Sequence, residues 1–288
     1  MYFDKNKKYY VISDLHGQGG YYDWIISDLE KWQQADQTKK IVLIINGDII
    51  DRGPDSIRML IDVMERVKGK RGNIEVIMLP CNHEMMMYEA LKYLKEHGTW
   101  DNGKATNSNI WFSDSNHGYD TALDFIKLSQ KEQNDIYDFL GSLPLCCTLK
   151  SNNLNENSYG IIHAAPFSNI MTIPDEKIPK LSQIVSEKGY EGERLCLTIR
   201  KGDNGVTSLA VPGCISIVGH TPCDWKNGFE IQEDGKVLMI DGGCGYIAKN
   251  VDSKMTGVAT LVSLSPIKAQ TKVQKYDWQA YRKAGKTR

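Results

Sequence analysis

The chain has 288 residues, with 35 Lys+Arg against 36 Asp+Glu and a formal charge of -1; hydrophobic residues make up 41% and charged residues 25%. This is ordinary globular composition, and the near-neutral balance excludes a broad basic face, so nucleic acid held through its phosphates is not an expected partner. No apolar run approaches the roughly 18–20 residues of a membrane-spanning helix, so a membrane is not expected either.

The first residues, Met1 to Lys8, contain no apolar stretch of signal-peptide type and lead straight into a strand-like run, Tyr9–Ile12, which predicts a cytoplasmic protein. Ser13-Asp14-Leu15-His16-Gly17 follows that run. Tyr21, Trp24, Ile25, Leu29 and Trp32 then share one face at helical spacing. The longest apolar run, Ile41–Ile45, is strand-sized and leads into Asn46-Gly47-Asp48-Ile49-Ile50-Asp51-Arg52-Gly53. A second helix is predicted from Ile57, Leu60, Ile61, Met64 and Val67, with Pro54 suited to its first turn.

Ile74–Leu79 is followed by Pro80-Cys81-Asn82-His83-Glu84, and Met86, Met87, Ala90, Leu91 and Leu94 predict a third amphipathic helix whose methionines fill core. Gly98–Gly118 is polar and aperiodic, which reads as a long loop. Further strands are expected at Tyr159–Ile162, Ile215–Val218 and Val237–Ile240; they run into His163-Ala164-Ala165, Gly219-His220-Thr221-Pro222 and Asp241-Gly242-Gly243. Thr271–Arg288 is basic and poor in apolar residues, so a solvated tail is expected there.

Strand–helix alternation in the first half argues for an α/β fold with parallel pairing; the strand-rich second half predicts a mixed sheet or a second sheet facing the first. The seven cysteines form no Cys-x-x-Cys pair. They read as reduced, mostly structural thiols outside the chemistry, Cys81 being the one open to reconsideration.

Six strands thus deliver Asp, His or Asn at their carboxyl ends, where open α/β sheets bind ligands. Asp, His and Asn without thiolate form a donor set suited to Mn, Fe or Zn. Two ions roughly 3.5–4 Å apart need a bridging carboxylate, and Asp48, in the middle one of the first three strands, is the natural bridge.

Asp14-Leu15-His16-Gly17, Gly47-Asp48-Ile49-Ile50-Asp51-Arg52-Gly53, Asn82-His83-Glu84, His163-Ala164-Ala165 and Gly219-His220-Thr221-Pro222 resemble the signature motifs of the phosphoprotein phosphatase family, one of the calcineurin-like metallophosphoesterases. The bacterial and phage branch is the nearest in pattern, and Ser142-Leu143-Pro144-Leu145 is also typical of it. The resemblance extends from about Tyr9 to about Leu264. It implies a β-sandwich of mixed sheets flanked by helices in α-β-β-α layers, with residues 1–265 one catalytic domain and 266–288 a basic tail.

The resemblance also implies roles. Asp14 and His16 would hold one metal, Asp48 would bridge, and Asn82, His163 and His220 would complete the second. Arg52 would clamp the phosphoryl oxygens, and His83, oriented by Asp51, would protonate the leaving oxygen. A second phosphate-binding arginine is expected at Arg200, with Arg194 as the alternative. The implied cofactor is a pair of divalent ions, manganese first, then iron or zinc, whose shared hydroxide attacks phosphorus in line.

Three departures from the pattern stand beside the site: Cys81 replaces a glycine, Asp241-Gly242-Gly243 replaces Asp-Thr/Cys-Gly, and Lys104 follows Asn102-Gly103 where a second glycine is usual. The expected activity is hydrolysis of phosphoserine and phosphothreonine by a monomer whose partner is a phosphorylated protein or small phosphoester. Hydrolysis of symmetrical diadenosine tetraphosphate, or of another nucleotide or small phosphoester, is the alternative; Asp51 disfavours the first, since that group typically has Ala there. A non-catalytic module binding metal or phosphopeptide is the second alternative.

Overall fold

A computed structural model of the chain describes residues 1–100, 108–167, 169–187, 189–223, 226–249, 257–267 and 271–277. In chain order the first half contains β1 (Lys7–Ile12), α1 (Gly19–Ala35), β2 (Lys40–Asn46), α2 (Ser56–Val67), β3 (Glu75–Leu79), α3 (Asn82–His97), α4 (Ser108–Trp111), α5 (Gly118–Phe125) and α6 (Gln130–Ser142). The second contains β4 (Cys147–Leu149), β5 (Tyr159–Ile161), α7 (Leu181–Ser186), α8 (Glu191–Leu195), β6 (Ile215–Val218), β7 (Glu230–Gln232), β8 (Val237–Met239), β9 (Val258–Leu264) and β10 (Lys272–Asp277).

These strands build two five-stranded mixed sheets, in the orders β10-β9-β1-β2-β3 and β4-β5-β6-β8-β7. In the first, β1, β2 and β3 run parallel, while β9 is antiparallel to both β1 and β10. In the second, β5, β6 and β8 are parallel, with β4 and β7 antiparallel at the two edges. The period of two in a strand decides which core each side chain enters. Val42 and Ile44 join Tyr9, Val11, Ile161, Ile217 and Leu238 in a cluster drawn from both sheets. Ile41, Leu43 and Ile45 point the other way, into the cluster that includes Ile25, Leu29, Leu60 and Val63 from α1 and α2. β2 is apolar throughout because both its faces are covered. The result is a β-sandwich flanked by helices.

The parallel strands end on one edge, and turns of unusual backbone geometry leave that edge. Nine non-glycine residues among those described have positive φ, and six of them are Asp14, His16, Asp48, Asp51, Arg52 and His220. Such conformations cost about 1–3 kcal/mol each and persist where surrounding structure enforces them, a hallmark of functional sites.

Three expectations change, and one helix stands where none was predicted. α2 begins at Ser56 rather than in the Pro54 turn, and Asp55 precedes it without a side-chain cap. The predicted long loop contains α4, and its last residue, Gly118, opens α5; residues 101–107, including Lys104, lie outside the described residues. α6 has a capping box, Ser129 with Glu132, whose Ser-x-x-Glu signal is plain in the sequence. Residues 272–277, expected in a solvated tail, form an edge strand because β9 offers a full antiparallel register and buried Tyr276 meets α1 through Trp24 and Asp28. Among the described residues, no helix is long and apolar enough to cross a membrane.

Candidate metal centre

Each motif is held by a specific backbone device. Asp14 N–H donates to the Gly47 carbonyl and His16 N–H to that of Asp48, at 3.1 and 2.8 Å, which stitches the turn after β1 to the turn after β2. Buried Glu84, at the start of α3, accepts the N–H groups of Asp48 and Ile49, both at 3.1 Å, and so ties that turn to the third motif. The His220 N–H donates to Asp14 Oδ1 at 2.9 Å. Gly219 must lack a side chain here, since a Cβ would overlap Asp14 Oδ2 and Ser13 Oγ.

The three histidines share a pattern. His16 Nδ1 donates to the Ile50 carbonyl at 3.1 Å, which leaves Nε2 facing Asp48 Oδ2 at 3.4 Å. His163 Nδ1 donates to the Asn46 carbonyl at 2.9 Å, and its Nε2 lies 3.4 Å from the same Asp48 oxygen and 3.2 Å from Asn82 Oδ1. His220 donates from Nε2 to the Thr198 carbonyl at 2.9 Å, and its Nδ1 lies 3.1 Å from Asn82 Oδ1. His16 Nε2 lies between Asp48 Oδ2 and the Arg52 guanidinium, and when His163 and His220 are neutral the second nitrogen of each is a lone pair aimed at the Asn82 oxygen. That arrangement is unfavourable unless a proton or a cation lies between them.

The carboxylates tell the same story. Asp14 Oδ2 and Asp48 Oδ1 are buried with no hydrogen-bond partner, and an orphaned buried carboxylate oxygen is costly. Burial, with Asp241 and Asp48 nearby, pushes the Asp14 carboxyl well above the usual range. Burial and the Asp48 charge likewise raise Asp241 to about 6. Burial also raises Asp48, but His163, His83 and His16 outweigh it and hold its carboxyl well below the usual range. His163 shows the opposite balance: burial disfavours its charge, Asp48 more than compensates, and its pKa rises to about 10. His220, desolvated and beside His163, falls to about 3. Concentrated negative charge facing anchored imidazole lone pairs fits divalent cations. Ligand atoms of His16, Asp48 and His83 lie within 4.8 Å of one another, as do those of Asp48, Cys81 and His163.

Beside this cluster stands a second chain of contacts. His83 Nδ1 donates to Asp51 Oδ2 at 2.6 Å, and the Asp51 carboxylate also accepts from Trp111 Nε1 at 2.8 Å and Thr121 Oγ1 at 2.6 Å. Burial opposes charge on His83, but Asp48 and Asp51 raise its pKa overall. The two terminal nitrogens of Arg52 lie 3.0 Å from His16 Nε2 and 3.3 Å from His83 Nε2. The guanidinium also covers the Tyr246 ring at 5.5 Å. Gly245 permits that approach, because a Cβ there would come within 2.6 Å of His16 and 2.8 Å of Arg52.

The structure therefore gathers Asp14, His16, Asp48, Asn82, His163, His220, His83, Asp51 and Arg52. Among these groups Asp14 accepts from the His220 amide. Arg200 is exposed and makes none of the hydrogen bonds of the cluster, its backbone N–H going to Asp203. Arg194 is committed to an ion pair with Glu89. Cys81 fits without strain, at φ -131°, because its sulfur caps α3. Trp111, Thr121, Tyr246 and Glu84 were not predicted as contributors to the site. Glu84 is the third residue of the Asn82-His83-Glu84 motif, whereas the other three carry no ligand-type signal.

A profile of the calcineurin-like phosphoesterases matches residues 7–190, more than half of the chain. The chain belongs to the calcineurin-like phosphoesterases, metal-dependent hydrolases with a binuclear centre. Among solved structures it is similar to a protein provisionally described as a diadenosine tetraphosphatase (14% identity, 96% of each chain covered, TM-score 0.52). It is also similar to a cold-active protein-tyrosine phosphatase of the psychrophile Shewanella sp. (17% identity, 94% of this chain and 81% of that one, TM-score 0.51). At these identities the likeness is one of fold. No curated protein matches the chain.

Proposed function

We propose that this chain is a phosphomonoesterase acting on phosphoserine and phosphothreonine. The observation that carries the reading is the Asp51–His83–Arg52 chain placed against the carboxylate–histidine cluster. Asp14, His16 and Asp48 would hold one divalent ion, and Asp48, Asn82, His163 and His220 the other, with manganese the first choice and iron or zinc the alternatives. Such ions supply Lewis acidity to the phosphoryl oxygens and activate water near neutral pH.

The chain's own residues do the rest. Arg52, its guanidinium over the Tyr246 ring, has two terminal nitrogens that turn from His16 and His83 to two phosphoryl oxygens when substrate and metal bind, a fork suited to that pair. Arg200 would add a second cation from the rim. His83 Nε2 is the proton donor to the leaving oxygen. Asp51 holds the ring through Nδ1, and Trp111 and Thr121 keep the Asp51 carboxylate as a fixed acceptor. Serine and threonine leave as strongly basic alkoxides, for which a positioned acid is worth roughly 10²–10⁴ in rate. A polyphosphate leaving group needs no such acid, so Asp51 and His83 favour a monoester over diadenosine tetraphosphate.

The test compares a phosphoserine peptide, p-nitrophenyl phosphate and diadenosine tetraphosphate with manganese added. Faster turnover of the peptide than of the dinucleotide supports the proposal. The reverse order would transfer it to dinucleoside polyphosphates, and no turnover of any of them would leave a binding module.

A further inference from the structure

We propose that Trp111 and Thr121 are positioning residues that decide which leaving groups the chain can expel, acting through Asp51 on His83. The inference rests on reading His83 as the proton donor. A carboxylate held by His83 alone would turn about its last torsion, whose preferences are broad, and the imidazole would swing with it. Here both oxygens are pinned. Trp111 Nε1 donates at 2.8 Å to Oδ2, the oxygen that also accepts from His83, and Thr121 Oγ1 donates at 2.6 Å to Oδ1. The Asp51 backbone is fixed as well, since its N–H donates to Ser56 Oγ at 2.8 Å and its φ is 69°. His83, Asp51, Trp111 and Thr121 are all buried, so water has little access to these bonds.

An indole N–H has no lone pair to offer a cation, and the Thr121 hydroxyl spends its proton on Asp51. The influence of both residues on the site therefore passes through Asp51. They sit on the short helices α4 and α5, outside the strand-end motifs, and these helices lock together. A Cβ at Gly118, the first residue of α5, would overlap the Trp111 indole, and the indole packs against Trp100 and Phe112 at 6.2 and 5.0 Å. The metal ligands and the aim of the acid are thus built by different parts of the chain. A serine or threonine alkoxide needs its proton at one point in space, and a misplacement of about 1 Å can cost about 10²-fold. p-Nitrophenolate leaves without that proton. Loosening Asp51 should therefore narrow the enzyme to esters with good leaving groups instead of slowing all substrates alike.

The test compares wild type, Thr121→Val, Thr121→Ser and Trp111→Phe, each with manganese, on a phosphoserine peptide and p-nitrophenyl phosphate. In Thr121→Val and Trp111→Phe the peptide-to-nitrophenyl ratio of kcat should fall about tenfold to a hundredfold, without a matching change in KM, and Thr121→Ser should restore it. In a His83→Ala background Thr121→Val should lower the ratio no further. A second measurement needs neither metal nor turnover. In the chelator-stripped full chain with isotope-labelled histidine, the His83 Nδ1 proton should resonate far downfield in the wild type and Thr121→Ser, and shift upfield or vanish in Thr121→Val and Trp111→Phe. Equal slowing of both substrates, a further loss on top of His83→Ala, no downfield resonance in the wild type, or one indifferent to both substitutions would overturn the proposal and leave the phosphatase reading standing. A wild type that hydrolyses neither ester would overturn both.

Discussion

His83 and Asp51 are neighbours of metal-ligand candidates but have a different job, and single substitutions separate the two. His83→Ala should keep both ions and lose roughly 10²–10⁴-fold in kcat on phosphoserine peptides. It should lose far less on p-nitrophenyl phosphate, whose leaving group needs little protonation. Loss of an ion by metal analysis would instead make His83 a ligand, a role its place beside His16 and Asp48 allows geometrically. Most of the site was legible at this scale, because each motif puts Asp, His or Asn directly after a strand of Ile and Val. Trp111 and Thr121 were not. They reach Asp51 across 60 and 70 residues of chain, and an indole and a hydroxyl advertise no metal chemistry in a sequence. Arg200 carries its charge near enough to His220 to help lower the pKa of that histidine, and its backbone N–H is held by Asp203.

At the scale of elements, polar clasps join segments distant in the chain. Arg66 on α2, its side chain 7% exposed, pairs with Glu30 of α1 at 2.7 Å. It also pairs with Asp62 at 2.6 Å, and Asp62 accepts from Tyr22 of α1 at 2.5 Å. Arg66→Ala removes the cation paired with Glu30 and leaves Asp62 to Arg71, at 2.8 Å, so it should cost about 2 kcal/mol in denaturant unfolding; less than about 0.5 kcal/mol would refute the clasp. Glu233 ties a turn to the 208–210 segment. Burial would raise its pKa, but Lys201, Ser208 and the Leu209 N–H pull it down to about 2. Its folded pKa lies below the unfolded value of about 4.3. The stabilisation is therefore complete above pH 4.3 or so and is lost as pH falls toward 2. Glu233→Gln should flatten that part of the stability profile, and an unchanged acid limb would remove Glu233 as its source. Six strands with Ile and Val were legible, as were the amphipathic helices α1, α2 and α3, whereas α6, of 13 residues, was not predicted. β4, β7 and β9 were not legible: Cys147–Leu149 and Glu230–Gln232 have no run of Ile and Val, and Val258–Leu264 is interrupted by Ala, Thr and Ser. β10 was hidden because Lys272, Gln274 and Lys275 look like a tail until β9 pairs with them.

For the whole molecule, the parallel strands converge their carboxyl ends on one edge, and buried acids collect there without enough positive charge to match. Divalent ions should therefore stabilise the fold as well as activate it. Each ion at a hundredfold excess over its Kd adds about 2.7 kcal/mol if the unfolded chain does not bind it. Melting curves should shift upward with manganese and return with chelator, whereas coincident curves would mean that the cluster takes no ion. The most direct measurement is anomalous diffraction from crystals grown with manganese. Two peaks roughly 3.5–4 Å apart, with Asp48 between them, are the expected result. A lone peak, or peaks away from Asp14, Asp48, Asn82, His163 and His220, would contradict a binuclear centre at this edge.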